Sequence, residues 1–225
     1  MNLVIAIDGP AASGKSTVAR LVAARLGGVY INTGDMYRTI TWLALERGIN
    51  PAKNPLKVAS LLWNLELRYR LDAAGKPVLF MGDAPVPQEK IRAPEVAAAV
   101  SQVAKIRSVR DWMLERQRET RHVGMVIMEG RDIGTVVFPD TPHKFFVTAS
   151  PEVRARRRLA QTGETVDGAT VESVAAEIAE RDRIDSTRAV APLKPAADAS
   201  IVNTDPYTAE QVADLIAAAV RAKMG

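Results

Sequence analysis

The sequence predicts an α/β protein whose parallel sheet is covered by helices on both faces, and three observations support this. Short apolar runs, typical of buried strands, alternate along the chain with stretches of helical periodicity. A glycine-rich loop separates the first apolar run from the first predicted helix. The segment between about Leu65 and Pro87 instead alternates polar with apolar residues, which predicts a small antiparallel insertion.

Two strands and two helices are predicted at the start of the chain. Leu3–Ile7 is an uninterrupted apolar run that ends before Gly9. A helix is expected from about Gly14 to Leu26, because its apolar residues fall on one stripe. Val29–Ile31 is a second short strand, and a helix from about Gly34 to Arg47 follows it.

The insertion reads as a hairpin followed by helices. Alternation over Leu65–Leu71 predicts one strand, Asp72–Gly75 a turn, and Val78–Met81 the return strand. Two helices are then expected, over about Pro94–Lys105 and Val109–Arg121.

The alternation of strands and helices resumes in the second half of the chain. Three strands are predicted, over Val123–Met128, Lys144–Thr148 and Ser200–Val202. Ser150 and Thr170 stand where helix N-caps are favoured. Thr208 and Gln211 form a capping-box pattern before the last helix. With the two N-terminal strands, these give a sheet of five.

The composition is that of an ordinary compact protein and excludes several kinds of site. The chain has 225 residues, 47% hydrophobic and 25% charged, with a formal net charge of +4. It has no cysteine, which excludes disulfides, thiolate metal sites and a cysteine nucleophile. No apolar run approaches the roughly 20 residues of a membrane span, and Leu3–Ile7 is too short for a signal-peptide core. We therefore expect a cytoplasmic protein.

The strongest motif is the loop Gly9–Thr17, GPAASGKST, which matches the phosphate-binding pattern G-x-x-x-x-G-K-[ST]. Its glycines let backbone N–H groups point at phosphate oxygens, and the next helix adds the positive end of its dipole. Lys15 can reach the β- and γ-phosphates of a nucleotide, and the Ser16 hydroxyl can bind magnesium. Since the loop lies between a predicted strand and a predicted helix, a nucleotide site is predicted.

Two further segments place polar residues at the carboxyl ends of strands, where parallel sheets bind ligands. In NTGDMYR, Thr33 can cap the second helix and offer a hydroxyl to a ligand, with Arg38 one turn further on. Taken alone, the segment slightly favours a capped helix with a surface arginine over a ligand site. Glu129 stands where a P-loop protein holds its second acidic group, usually through water to magnesium. Arg131 and Asp132 follow, either as a local ion pair or as ligand-facing residues.

Basic residues cluster on the two helices after the fourth strand. Four arginines occur on the first of them: Arg154, Arg156, Arg157 and Arg158. Arg181, Asp185 and Arg188 are spaced to share one face of the second. These residues can form surface ion pairs, but phosphoryl transfer needs cationic clamping, and arginine forks fit phosphate oxygens. His122 and His143 flank strands and are expected at the surface, so we predict no histidine mechanism.

Taken in order, these motifs resemble the bacterial cytidylate kinase family. The resemblance is carried by GPAASGKST, NTGDMYR, SQVAKIRSVRDWMLERQR, EGRDIGTVVFPD and ERDRIDSTRAVAPL, and it extends from Ile5 to the C-terminal helix. It implies a P-loop nucleoside monophosphate kinase fold, with a five-stranded parallel sheet of order 2-3-1-4-5, a mobile lid and an inserted antiparallel unit that enlarges the monophosphate-binding region. The implied activity is transfer of the γ-phosphoryl group of ATP to CMP or dCMP, with Mg²⁺ as cofactor.

The resemblance also implies roles for individual residues. ATP binding is implied for Gly9, Pro10, Ala11, Ala12, Ser13, Gly14, Lys15, Ser16, Thr17, Arg154, Arg157 and Arg158. CMP binding is implied for Thr33, Arg38, Ser101, Arg110, Arg131, Asp132, Arg181, Asp185 and Arg188. Within that set, cytosine is read by Ser101, Arg110 and Asp132, and the sugar is contacted by Arg181 and Asp185. The implied catalytic residues are Lys15, Arg131 and Arg188, and the implied magnesium ligands are Ser16 and Glu129, directly or through water.

One kinase domain over 1–225 is implied, divided into three parts. These are a core (about 1–34, 107–150 and 189–225), a monophosphate-binding region with the insertion (about 35–106) and a lid (about 151–188). The resemblance further implies a monomer that binds neither nucleic acid nor a membrane. Two positions depart from the common pattern, since Thr33 stands where serine is common and Glu129 where aspartate is.

Two other functions stay open at this point. A different small-molecule P-loop kinase, such as an adenylate or shikimate kinase, would share the loop, but the inserted hairpin and the Arg131-Asp132 box argue against it. A regulatory nucleotide-binding switch would share it too. Against that, no N-K-x-D guanine motif occurs, and the arginines of the lid would have no task.

Overall fold

The computed structural model describes residues 3–161, 165 and 168–224, which form an α/β fold. The strands are β1 (Val4–Asp8), β2 (Val29–Asn32), β3 (Leu67–Leu71), β4 (Pro77–Met81), β5 (Ala84–Pro85), β6 (Val126–Gly130), β7 (His143–Thr148) and β8 (Ser200–Asn203). The helices are α1 (Lys15–Leu26), α2 (Thr33–Glu46), α3 (Pro55–Ser60), α4 (Gln88–Ile91), α5 (Pro94–Ala104), α6 (Arg107–Glu119), α7 (Pro151–Leu159), α8 (Val171–Thr187) and α9 (Ala209–Met224).

Five strands form one parallel sheet in the order β2-β6-β1-β7-β8. Numbered along the chain among themselves, these strands have the order 2-3-1-4-5, so that expectation is confirmed. β1 lies at the centre, and all five of its residues are buried, as a parallel strand covered on both faces requires. The carboxyl ends of β1, β2 and β6 meet at one edge of the sheet.

Alternate residues of β1 belong to two different apolar clusters, one on each face of the sheet. Ile5 and Ile7 pack with Val18 of α1 and Val212 of α9. Ala6 packs in a cluster with Ile133, which lies in a π-helical turn at 133–137. The helices therefore bury both faces and leave the edge with the carboxyl ends for ligands.

The predicted antiparallel insertion is present as the sheet β3-β4-β5. Its hairpin turns at Gly75 (φ +74°), and β5 adds a third strand that was not predicted. Leu67 and Leu79 of this sheet pack with Met36 of α2 and Met113 of α6. The insertion is therefore held by an apolar cluster that is separate from those on the two faces of the parallel sheet. The helices α3 and α4 were not predicted either, because they are too short to show helical periodicity.

Two local predictions are wrong. The strand expected over Val123–Met128 begins only at Val126, because Thr120–Val123 forms a 3₁₀ turn after α6 and Gly124 (φ +118°) redirects the chain. His143 is only 2% exposed instead of lying at the surface, because it begins β7 beside Ile5 of the buried strand β1.

Candidate active site

A cleft of about 1200 Å³ lies at the carboxyl ends of the parallel strands, between the P-loop and the inserted sheet. Most residues that the sequence singled out line it: Ala12, Ser13, Gly14, Lys15, Ser16, Thr17, Thr33, Arg38, Ser101, Arg110, Glu129, Arg131, Asp132, Arg157, Arg158, Arg181, Asp185 and Arg188. Gly9, Pro10, Ala11 and Arg154 are not part of that lining.

The P-loop has backbone positions that require glycine. A Cβ on Gly9 would lie 2.0 Å from the carbonyl oxygen of Val147 in β7, so no larger residue fits. Gly14 stands before α1 with φ +86°, in the left-handed region that favours glycine. Ala12 is also left-handed (φ +56°), which strains an alanine. These conformations curl the loop over the N-terminus of α1, as phosphate binding requires.

Lys15 begins α1, and its ammonium group lies against the loop. Nζ donates to the carbonyl oxygen of Pro10 at 2.8 Å, and the residue is buried. Burial and the positive charge of Arg131 lower the pKa of Lys15 well below its ordinary value. Because an anion would stabilise an ammonium group in such surroundings, the arrangement favours a phosphate at this place.

Ser16 and Glu129 bring together the two oxygen ligands that the sequence predicts for a metal. Ser16 Oγ donates to Glu129 Oε1 at 2.8 Å. Glu129 Oε2 is buried and has no hydrogen-bond partner among the residues that the structure describes. Mg²⁺ prefers oxygen ligands, so an unpartnered carboxylate oxygen near a hydroxyl fits this ion.

The start of α2 corrects one prediction. Thr33 does not cap the helix: it is the first helical residue, and its Oγ1 donates to the carbonyl oxygen of Glu129 at 2.7 Å, which ties α2 to the end of β6. Arg38 is buried one turn further on and donates to the carbonyl oxygen of Ile91 at 3.1 Å. Burial and the charge of Arg92 lower the pKa of Arg38 to about 10, which leaves the guanidinium charged at neutral pH.

Asp132 and Arg110 form a buried ion pair in the wall of the cleft. Arg110 also donates to the carbonyl oxygen of Ala104 at 3.1 Å, which fixes the guanidinium plane. Ser101 on α5 lines the same cleft and is buried. Together they offer a carboxylate acceptor beside guanidinium and hydroxyl donors, a set that can recognise the polar edge of a base.

Asp185 lies among three arginines. Its carboxylate accepts from Arg131 Nε at 3.1 Å and lies 3.9 Å from Arg188 Nη1. Burial alone would raise the pKa of Asp185, but Arg131, Arg181 and Arg188 together lower it. Burial and repulsion from Arg131 lower the pKa of Arg181 well below its ordinary value. Positive charge is therefore in excess here, and the site favours an anionic ligand.

The arginines of α7 face two directions. Arg157 donates to the carbonyl oxygen of Ser13 at 3.2 Å and to Thr204 Oγ1 at 2.7 Å, beside the P-loop. Arg158 also lines the cleft, and burial together with the charge of Arg38 lowers its pKa to about 10. Arg154 instead lies behind the loop, outside the lining of the cleft.

Known proteins are similar to the chain over nearly its whole length. The family model described as cytidylate kinase matches residues 5–222. The chain belongs to the cytidylate kinase family. A cytidylate kinase of Pelotomaculum thermopropionicum is 48% identical, over 97% of this chain and 96% of that protein. One from Limosilactobacillus fermentum is 46% identical, over 96% and 94%, and one from Clostridium botulinum is 40% identical, over 98% and 99%.

These matches confirm the family that the motifs predicted. A member of the cytidylate kinase family is an ATP-dependent kinase, so the hypothesis of a regulatory switch is wrong. The hypothesis of an adenylate or shikimate kinase is wrong as well. The family model that matches residues 5–222 is described as cytidylate kinase, and so are the relatives above, which match nearly the whole chain.

Sequence reasoning missed two residues that line the cleft, one in the inserted sheet and one just after it. Arg92 Nη2 donates to Asp35 Oδ1 at 2.6 Å and lines the cleft near Arg38. Tyr69 of β3 donates its hydroxyl to the carbonyl oxygen of Asn32 at 2.8 Å, which joins the inserted sheet to the end of β2. Neither residue stands in a motif with a recognisable spacing, so the sequence carried no signal for them.

Asp8 was also missed, although a signal was available. It is an acidic residue at the end of a buried apolar strand, where an ionisable side chain is unusual. Its carboxylate accepts from the backbone N–H groups of Ile133 and Gly134, each at 2.8 Å. These bonds join the end of β1 to the turn that follows Asp132. Burial raises the pKa of Asp8 to about 7, against the lowering effect of the two backbone hydrogen bonds.

Proposed function

We propose that this chain transfers the γ-phosphoryl group of ATP to the phosphate of CMP or dCMP, giving ADP and CDP or dCDP. Family membership supports the reaction. The observation that supports it best in the site is the buried Arg110–Asp132 pair, which lines the same cleft as the P-loop. One end of the cleft is thus suited to phosphates and another part to a base.

Cytosine matches the groups around Asp132. Its exocyclic amino group donates, and its N3 and O2 accept. The Asp132 carboxylate accepts from the amino group, while Arg110 and Ser101 donate to N3 and O2. Uracil presents an acceptor at O4 instead, which would set two acceptors against each other.

The arginines between the two ends hold the sugar and the acceptor phosphate. Arg181 and Asp185 contact the pentose. The CMP phosphate lies among Arg38, Arg131 and Arg188, with the Thr33 hydroxyl beside them. The lowered pKa of Arg38 and of Arg181 supports this arrangement, because a phosphate relieves the repulsion between guanidinium groups.

The donor lies on the P-loop. The backbone N–H groups of the P-loop that face the cleft and the side chains of Arg157 and Arg158 bind the ATP phosphates. During transfer, an oxygen of the CMP phosphate attacks the γ-phosphorus, the bond to the β,γ-bridging oxygen breaks, and ADP leaves. Lys15, Arg131 and Arg188 are the catalytic residues, since their charges lie where negative charge shifts in the transition state.

Ser16 and Glu129 would hold Mg²⁺, the latter directly or through water. When bound, the ion would neutralise negative charge on the phosphates. This assignment rests on the unpartnered Glu129 Oε2 beside the Ser16 hydroxyl.

The proposal also includes the division into parts. The core (about 1–34, 107–150 and 189–225) holds the reacting groups, the region 35–106 holds the monophosphate, and the region 151–188 closes over ATP to exclude water. The enzyme is proposed to act as a cytoplasmic monomer without nucleic acid. Among the described residues, none of the helices combines the length and apolarity needed to cross a membrane.

A coupled assay of ADP formation tests the function. ATP and Mg²⁺ are supplied with CMP, dCMP, UMP or AMP, and with no acceptor. We expect rapid turnover with CMP and dCMP, slower turnover with UMP, and almost none with AMP. Faster turnover of AMP, or hydrolysis of ATP that is independent of any acceptor, would contradict the proposal.

A further inference from the structure

Ala11 of the P-loop contacts both α7 and α8, and it lies outside the lining of the cleft. The N–H of Ala11 donates to Asp182 Oδ1 at 3.2 Å. The carbonyl oxygen of Ala11 accepts from Arg154 Nη1 at 3.2 Å. Arg154 also forms an ion pair with Asp182, so the two side chains and Ala11 close a ring of contacts.

A small apolar cluster surrounds this ring. Ala11 packs with Ala155 of α7 and with Val174 and Ile178 of α8, and all four residues are buried. The contact of Arg154 with the Ala11 carbonyl is buried and that of Asp182 with the Ala11 N–H is partly buried, which strengthens both relative to contacts in water. The contact of α7 and α8 with the loop thus has an apolar part and a polar part.

The geometry of the peptide bond links these contacts to the groups that face the cleft. In a trans peptide the N–H and C=O point in opposite directions, and no cis peptide occurs among the described residues. When Asp182 holds the N–H of Ala11, the carbonyl of Pro10 in the same peptide points the other way, where it accepts from Lys15 Nζ at 2.8 Å.

The next peptide behaves in the same way. Arg154 holds the carbonyl of Ala11, so the N–H of Ala12 points to the opposite side, where Ala12 lines the cleft. The backbone of Ala12 is strained at φ +56°, and strained backbone persists only where its surroundings fix it.

We propose that Asp182 and Arg154 are positioning residues that orient two successive peptides of the P-loop, and through them Lys15 and the phosphate-facing N–H of Ala12. Arg154 does not contact ATP in this account. Since α7 also carries Arg157 and Arg158, the same ring sets where these two arginines lie relative to the loop. The inference rests on the proposed function for its kinetic test.

The experiment compares four single variants and one double variant on the full chain. Asp182→Ala removes both contacts of the carboxylate, whereas Asp182→Asn keeps an oxygen for the N–H of Ala11 and loses the charge that pairs with Arg154. Arg154→Ala removes the other half of the ring. Glu180→Gln is the matched control, because Glu180 lies on the same helix and pairs with Arg183 at an exposed position.

We expect Asp182→Ala to lower kcat/KM for ATP by about 100-fold, as a displacement of catalytic groups by roughly 1 Å does. Asp182→Asn should lose about tenfold, and Glu180→Gln should stay within about twofold of the wild type. CMP binding measured calorimetrically without ATP should change by less than about threefold, which a general loss of structure would not allow. The Asp182→Ala, Arg154→Ala double variant should cost no more than the worse single variant, because the residues act as a unit.

Two results would overturn the inference. If Arg154 binds ATP directly, Asp182→Ala would free its guanidinium and leave kcat/KM for ATP at or above the wild-type value, while Arg154→Ala would lower it. Additive losses in the double variant would also contradict a shared role. If Asp182→Ala does not fold, as judged by circular dichroism, Asp182→Asn carries the test. The ATP affinity of the same proteins is also measured by calorimetry, which does not depend on CMP turnover. If the wild type fails to phosphorylate CMP, the proposed function is contradicted, and the ATP affinities still test the roles of Asp182 and Arg154.

Discussion

The cleft has a half proposed for ATP, at the P-loop (the donor half), and a half proposed for CMP, around Arg110, Asp132 and Asp185 (the acceptor half), and these halves hold their cationic side chains in different ways. In the donor half, Lys15 donates to the carbonyl oxygen of Pro10, and Arg157 donates to a backbone carbonyl and a hydroxyl. In the acceptor half, backbone carbonyls also accept from Arg38 and Arg110, but buried carboxylates are added: Arg110 pairs with Asp132, and Arg131 with Asp185. The partners named in the donor half are neutral, whereas those in the acceptor half include charged groups.

This difference suits the two substrates. A phosphate can replace a neutral carbonyl as the partner of a cation, because hydrogen bonds to charged acceptors are stronger than those to neutral ones. The donor half therefore needs little selectivity beyond phosphate and releases its resting contacts easily. Carboxylate partners in a buried network hold their arginines in fixed geometry, which the base recognition proposed for the acceptor half requires.

The largest effect is expected from the donor half at Lys15. Lys15→Met removes the charge but keeps much of the volume of the side chain, so kcat should fall roughly 100- to 1000-fold. The measurement is steady-state turnover of CMP with ATP. A folded variant with kcat within about threefold of the wild type would remove Lys15 from the transition state.

A smaller loss is expected from Arg157, whose resting contacts are neutral. Arg157→Ala should lower kcat/KM for ATP about 10- to 100-fold, the value of one or two charge-assisted hydrogen bonds, and leave CMP affinity unchanged. Arg156→Ala is the control on the same helix, since Arg156 is exposed and pairs with Glu152. Collapse of CMP affinity with kcat intact would place Arg157 in the acceptor half instead.

A third effect appears in stability instead of turnover and concerns Asp8, which joins the end of β1 to the turn after Asp132. The pKa of Asp8 is raised in the folded chain to about 7 from 3.8, so its contribution is fully present below about pH 4 and is lost as pH rises through 7. The slope is at most about 1.4 kcal/mol per pH unit. Its charged neighbours are Asp132, which raises the pKa, and Arg131, which lowers it.

Thermal unfolding of the wild type and of Asp8→Asn between pH 4 and pH 8 measures this contribution. The asparagine does not titrate, so the difference in unfolding free energy between the two proteins should change with pH in that window. Parallel stability curves would show that the Asp8 pKa is not raised.

Sequence reasoning reached further in the donor half than in the acceptor half. The P-loop is one continuous segment whose glycines, lysine and serine have a fixed spacing, so Lys15 and Ser16 could be assigned from the residues alone. The acceptor half combines side chains from α5, α6, the turn after β6 and α8, and only the family resemblance brought Ser101, Arg110 and Asp132 together. The donation from Thr33 to Glu129 and the acceptance by Asp8 depend on contacts across more than 90 residues, which local patterns do not show.

The ratio of kcat/KM for CMP to that for UMP tests the division of the cleft most directly. In the wild type, CMP should be preferred at least roughly tenfold to a hundredfold, because UMP sets its O4 against the buried Asp132 carboxylate. Asp132→Asn offers an N–H to O4, so it should lower CMP turnover and narrow the ratio, whereas Asp185→Asn, on the sugar side, should lower both turnovers and leave the ratio unchanged. A ratio in Asp132→Asn equal to that of the wild type would contradict base recognition by the acceptor half.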